Sequence, residues 1–315
     1  MVKEKWTIIQ PVCRGGSKET SGQWSNHTFL NFSRLFNAKL YHILDSNIEM
    51  DSDVYHIVNF DIGLLEQEIE FAKEVKRRGA KVTIGFSQDF RFLIGDGLIS
   101  KQGYLYTELC KVADAIQSGV PDKGIYGRFH DKVILMGEIL EDQSFAVPYE
   151  NRSIDLVTSG PAGEQSLSFE LEFLLMVKEK YPDKKVISCI HAPHRPIVEK
   201  LRINYPQITF AIEHPLMDYM RLSKIYCNPE IRPRPGRTLM EAFYFRVPFI
   251  SSSWTYYSNL CKEFSYSKVS ILEMFNKYEL LLNSDINEVI YKMEQRAKEE
   301  TFDAVYSRIK EKLGI

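Results

Sequence analysis

The sequence predicts an α/β chain made of two parallel-sheet halves, and three observations carry that expectation. Short β-branched or aromatic runs alternate with segments of helical period, the pattern of βαβ units. The alternation restarts near residues 149–153. The length of 315 residues suits two domains of about 150 each better than one core.

WTIIQPV opens the first half as a strand, followed by a Gly/Ser loop over residues 14–22 and a helix around residues 26–36. DVYHIVNF is the next strand. Residues 64–78 then form a helix, because Leu64, Leu65, Ile69, Ala72 and Val75 recur at helical spacing. Arg77 and Arg78 make its basic last turn and Gly79 its C-cap glycine. KVTIGFS is a strand, residues 103–112 a helix and DAIQSGV a strand, and VILMGEIL and SFAVPYE close the half.

The second half repeats the rhythm. SIDLVTSG is a strand, residues 166–180 a strongly periodic helix, KVISCIHA a buried strand and residues 195–204 a helix. ITFAIE is a strand, residues 215–221 a short helix, KIYCNPE a strand, residues 238–245 a helix and VPFISSS a strand. From Ile286 onward the spacing is amphipathic and helical. Neither a low-complexity stretch nor a repeat with a period of about 20 to 50 residues is visible, which disfavours solenoids and propellers.

Composition narrows the function classes. Lys plus Arg number 40 against 42 Asp plus Glu, so the chain has no global attraction to nucleic acid or anionic membrane. Five cysteines, odd in number and widely spaced, show neither a disulfide framework nor metal-ligand spacing, and fit reduced thiols in the cytoplasm. MVKEKWTIIQPV lacks the features of a secretory signal, and no apolar run reaches the roughly 18 residues that a spanning helix needs. His191 and His194 follow a strand without further ligands, and DSD over residues 51–53 precedes a strand as a loop, so no metal site is expected.

The chemistry concentrates in residues 224–253, KIYCNPEIRPRPGRTLMEAFYFRVPFISSS. A strand ends in a Pro/Gly/Arg loop and a helix starts at Thr238, with Glu241 three residues later in capping-box spacing. Such a junction delivers backbone N–H groups and the positive end of a helix dipole to one point, which suits a phosphate. Arg232, Arg234 and Arg237 add charge-assisted donors. WTYYSN over residues 254–259 follows directly, and an aromatic group exposed there offers a flat face for a ring to stack on.

This string resembles the donor-binding motif of the large retaining glycosyltransferases of GT-B fold (group 1, family 4 type). In that family a strand, a Pro-containing loop and a Glu-bearing helix precede a phrase that reads LMEAFYFRVPFISSS here. The resemblance implies two Rossmann-like domains facing each other across a cleft: residues 1–150 on the acceptor side, residues 151–290 on the nucleotide-sugar side, and a helix over residues 291–315 returning toward the first domain. AVPYE resembles the family's connector between domains.

The resemblance also assigns residues. Glu241 inherits the carboxylate that binds the donor's ribose hydroxyls. Arg234, Gly236, Arg237 and Thr238 face the diphosphate, with Gly15 and Gly16 of the RGGSK loop and Ser159 and Gly160 after the first strand of the second half. His214 stands where the base is read, Lys18, Asp89 and Arg91 face the acceptor, and Asp89 and Arg237 are the catalytic candidates. The chain departs from the motif in three places: Pro233 replaces the Glu eight residues before Glu241, Gln88 replaces a His, and TSGPAGEQS over residues 158–166 has neither the Arg nor the Lys that the family places near the diphosphate. That charge falls to Arg232, Arg234 and Arg237.

The implied activity is transfer of a sugar from a nucleoside-diphosphate sugar, UDP-linked, to a hydroxyl of a small molecule, glycan, lipid or modified DNA. It needs no metal or other cofactor and retains configuration at the anomeric carbon, in a monomer or dimer. Transfer to hydroxymethylated pyrimidines of DNA, a non-catalytic nucleotide-binding module and a sugar-nucleotide epimerase are the alternatives.

Overall fold

The computed structural model describes residues 4–10, 33–59, 64–86, 101–119, 123–136, 139–140, 144–159, 164–190, 195–212, 216–229, 236–267 and 270–315. The chain forms two compact units, Met1–Ile139 with Glu300–Ile315 and Leu140–Glu299, each around its own six-stranded sheet.

In the first unit the strands are β1 (Trp6–Gln10), β2 (Lys39–His42), β3 (Val54–Asn59), β4 (Lys81–Phe86), β5 (Ala115–Ser118) and β6 (Val133–Leu135). They lie in the order β2-β1-β3-β4-β5-β6, and every pairing is parallel. Alternation along each strand divides the core between two faces. Ile57, Ile84 and Ile116 meet α1 (Leu65–Arg77) and α2 (Lys101–Val112) through Leu65, Ile69 and Leu109. Trp6, Ile8, Val54, Val58 and Ala115 line the other face, against Val305, Ile309 and Leu313.

Those last three residues belong to the helix Phe302–Leu313 near the end of the chain. The sequence reads one helix from Ile286 onward; the structure has two, Ile286–Ala297 and Phe302–Leu313, separated by a 3₁₀ turn at Lys298–Glu300. Asp285 accepts from Asn287 N and Glu288 N to start the first of them. Phe302 and Tyr306 of the second stack at 5.5 Å and both meet Phe36 edge-on, at 5.3 and 5.6 Å. Glu4 accepts from Tyr306 and pairs with Lys310 at 3.0 Å. Burial pushes the Glu4 carboxyl up, but these partners and a backbone hydrogen bond outweigh it and hold it at about 2.

The second unit holds β7 (Ile154–Ser159), β8 (Val186–Ile190), β9 (Thr209–Ile212), β10 (Ser223–Asn228), β11 (Phe249–Ser252) and β12 (Ser265–Tyr266). Their order is β12-β11-β10-β7-β8-β9, again parallel throughout. Between them run α3 (Glu164–Lys180), α4 (Arg195–Asn204), α5 (Leu216–Met220) and α6 (Arg237–Tyr244); α7 (Ile271–Leu282) and α8 (Ile286–Ala297) follow the sheet, and α9 is the Phe302–Leu313 helix of the first unit. No helix among the described residues is long and apolar enough to cross a membrane.

One buried arginine ties this unit together. Arg152 is 4% exposed and donates to Val147 O, Ser223 O, Phe245 O and Arg246 O at 3.0–3.2 Å. It thereby fastens the segment ahead of β7 to the start of β10 and to the end of α6. Residues 144–148 carry no strand, and Tyr149–Asn151 is a single 3₁₀ turn, so SFAVPYE is a connection rather than a sheet element.

A carboxyl group lies on the face of the same sheet that carries the Thr158 and Ser188 side chains. Glu170 of α3 is fully buried, accepts from Thr158 of β7 and from Ser188 of β8 at 2.7 Å, and leaves its other oxygen without a partner. Burial pushes its pKa up to about 7, against the lowering effect of the two hydroxyls.

Candidate functional site

The second sheet changes winding direction between β7 and β10: the chain runs β7, β8, β9 to one side and β10, β11, β12 to the other. Ligands of such sheets bind outside the carboxyl ends of the strands at that switch point. β7 ends there in Ser159 and β10 in Asn228, with Tyr226 opposite Val157 and Cys227 opposite Thr158.

Tyr226 organises this edge. Its hydroxyl lies 2.8 Å from Ser159 Oγ and 2.8 Å from Thr238 Oγ1, so the single phenol proton goes to one of them and the other donates back. Asn228 Nδ2 also donates to Thr238 Oγ1 at 3.4 Å. Burial, reinforced by the Glu241 charge, drives the Tyr226 phenol far above its ordinary value. The group therefore stays protonated and acts as a strut between β7, β10 and the start of α6.

The start of α6 differs from the expected capping box. Gly236, not Thr238, is the N-cap residue; it has φ +77° and no side-chain cap. Thr238 lies inside the first turn, and its hydroxyl is taken by Tyr226 and Asn228. A Cβ at Gly236 would come 2.0 Å from Thr255 Cγ2, so the position requires glycine on two counts, backbone conformation and space. Leu239, Met240, Ala242 and Phe243 bury the inner face of α6, while Glu241 is half-buried one turn beyond Thr238.

The far end of α6 is equally defined. Val247 N donates to Ala242 O at 2.9 Å and Arg246 N to Phe243 O at 2.9 Å, a Schellman closure with Arg246 at φ +55°. Arg246 holds that conformation with Nη1 donating to Phe243 O, Nε to Glu294 at 2.6 Å, and its guanidinium 4.6 Å from the Phe243 ring centre. The helix whose first turn opens at the switch point is thus fixed at both ends.

Of the residues expected to form the donor site, the structure brings Ser159, Gly236, Thr238 and Glu241 together around Tyr226, and Arg237 is the first residue of α6. Gly15, Gly16, Lys18, Asp89, Arg91, Gly160, His214 and Arg234 lie outside the described residues, as do Arg232, Pro233, His191 and His194. Tyr226 and Asn228 are additions. KIYCN reads in sequence as an ordinary buried strand, and the only hint was an aromatic group with a polar tip near the carboxyl end of a central strand. Among the described residues no cluster of three or more His, Cys, Asp or Glu has metal-binding geometry.

Known structures share this fold. The chain superimposes on HepE of Anabaena, solved in complex with UDP, with a TM-score of 0.67 over 98% of this chain and 99% of that one, at 9% identity. UDP-GlcNAc 2-epimerase from Neisseria meningitidis, bound to UDP-GlcNAc, gives 0.51 over 98% and 97%, at 11% identity. The pneumococcal O-GlcNAc transferase GtfA, in complex with UDP and GlcNAc, gives 0.59 over 82% of this chain and 56% of that one, at 10% identity. No protein-family model matches the chain, and no curated protein matches it in sequence. The fold is GT-B: two Rossmann-like α/β units, each on a six-stranded parallel sheet.

Proposed function

We propose that this chain is a nucleotide-sugar-dependent glycosyltransferase whose second unit binds the donor. The observation that carries the reading is the junction at the β7/β10 switch point, where Gly236 opens α6 beside the Ser159–Tyr226–Thr238 hydrogen-bond strut. A helix start leaves its first N–H groups without intrahelical partners and carries partial positive charge. A diphosphate placed there is met by those groups and by Arg237, with Glu241 accepting from the ribose hydroxyls. Several of the solved proteins that share the fold, HepE and GtfA among them, carry UDP, which supports a uridine nucleotide.

Catalysis on this reading is mainly stabilisation of the leaving diphosphate by fixed N–H groups and Arg237. Removing one such donor typically lowers the rate by about 100-fold or more. Asp89 of the first unit is the candidate that orients or deprotonates the acceptor hydroxyl. Retention at the anomeric carbon and independence of divalent metal belong to the same proposal, so excess EDTA is expected to leave turnover unchanged.

The test is calorimetric titration of UDP, GDP and ADP into the full chain, followed by a screen of the matching sugar nucleotides for hydrolysis or transfer. UDP is expected to bind, with Glu241→Ala weakening it about tenfold or more and Arg237→Ala lowering turnover. Unchanged binding in both variants would sink the assignment. One alternative has its own support: the Neisseria epimerase matches along nearly all of both chains. Deuterium from solvent appearing at C2 of recovered UDP-GlcNAc would favour epimerisation over transfer.

A further inference from the structure

We propose that Trp254 is the platform on which the sugar ring of the bound nucleotide sugar stacks, an inference that rests on the donor site described above. Trp254 lies two residues beyond β11, at the carboxyl edge of the second sheet where β10 also ends. It is 37% exposed, unlike Trp6, which is 1% exposed in the core of the first unit. Among the described residues its indole has neither a hydrogen bond nor a ring contact; only its backbone N–H is engaged, by Ser252 Oγ at 3.2 Å.

The turn that carries Trp254 is fixed. Ser253 N donates to Tyr266 O at 2.8 Å, Thr255 N to Ser252 O at 3.0 Å and Ser258 N to Thr255 O at 3.0 Å. Thr255 is fully buried, and its methyl occupies the space a side chain at Gly236 would need. The turn is therefore set directly against the residue that opens α6, and the indole is presented from a rigid base.

The two sides of Gly236 differ in chemistry. Ser159, Tyr226, Thr238 and Glu241 belong to the β7/β10 side, where a carboxylate suits a vicinal diol. Thr255 and Trp254 belong to the β11 side. A nucleoside diphosphate sugar has its ribose at one end of the diphosphate and the transferred sugar at the other. With the ribose on the Glu241 side, the sugar extends past Gly236 toward Trp254. A pyranose ring has a face of C–H groups with partial positive charge, and the indole has a large, electron-rich face with one polar N–H at its rim. The pairing buries apolar surface and leaves the sugar hydroxyls free for other partners.

The experiment compares UDP with UDP-glucose, UDP-galactose and UDP-GlcNAc, each titrated into the wild-type full chain and into Trp254→Ala and Trp254→Phe. Melting temperatures confirm that the variants are folded. For the sugar nucleotide that the wild type prefers, Trp254→Ala is expected to lower affinity about tenfold while UDP itself binds within about twofold of wild type. Trp254→Phe, which keeps an aromatic face, recovers most of the loss. Equal loss for UDP and the sugar nucleotide overturns the proposal, because the indole would then serve the nucleotide or only the turn. Unchanged affinity for every sugar nucleotide in Trp254→Ala overturns it as well, with the donor site left intact. Failure of the wild type to bind UDP or any of its sugars removes the nucleotide-sugar reading and this inference together.

Discussion

Glu170 and Tyr226 sit on opposite faces of the second sheet and answer burial in different ways. Tyr226 satisfies its hydroxyl twice, at 2.8 Å each, and remains a neutral phenol. Replacing it by Phe removes the strut and is expected to cost about 1 kcal/mol of stability, with UDP affinity falling because Thr238 is no longer anchored. Urea unfolding and UDP titration of Tyr226→Phe check both effects. Glu170 keeps one oxygen without a partner, and its pKa rises from 4.5 to about 7. The folded chain thus holds this proton more tightly than the unfolded one. Its contribution to stability is complete below about pH 4.5 and is lost as pH rises to about 7, by about 3 kcal/mol in all. Glu170→Gln mimics the protonated form. The variant should match wild type near pH 4.5 in urea unfolding and exceed it at pH 8.

At the level of elements, the β-branched strands and the amphipathic helices were legible because their periodicity reports which face is buried. Gly79 is an example: it was read as a C-cap glycine, and the structure has it at φ +87° with Ala80 N donating to Val75 O at 3.3 Å. β2 and β12 were not legible. KLYH is a half-exposed edge strand without alternation, and Ser265–Tyr266 is only two residues long. The capping box failed for another reason. A hydroxyl at a helix start has several competing partners, and the deciding one, Tyr226, lies in a different strand. Ser159, Thr238 and Glu241 were named from the sequence and lie around Tyr226, whereas Tyr226 and Asn228 make tertiary contacts that no local pattern encodes. Gly236 and Gly79 separate backbone strain from crowding. Both have positive φ, but a Cβ at Gly79 meets nothing within 4 Å, while one at Gly236 meets Thr255 at 2.0 Å. Gly79→Ala is expected to cost about 1 kcal/mol with UDP binding intact. Gly236→Ala should cost more than about 2 kcal/mol and abolish UDP binding. Chemical denaturation and calorimetry of the two variants decide the comparison.

Across the whole molecule, the first unit is discontinuous and the second is not. α9 supplies Val305, Ile309 and Leu313 to the face of the first sheet lined by Trp6, Ile8 and Val54. Ile309→Asp places a charge in that core and is expected to lower the unfolding temperature of the first unit while leaving UDP binding by the second in place. Scanning calorimetry with and without UDP separates the two transitions, since a ligand raises only the transition of the unit that binds it. The same arrangement bears on how the chain is made. Glu4 and Tyr306, hydrogen-bonded in the finished protein, are 302 positions apart along it. On the ribosome, at about 5–20 residues per second, β1 to β6 emerge long before the helix that seals one side of them. The Leu140–Glu299 unit is uninterrupted, so its whole sheet is synthesised before α9, while the first sheet still lacks the helix that covers its Trp6–Ile8–Val54 face. Over that interval the first sheet presents to its surroundings an apolar face that the finished protein covers.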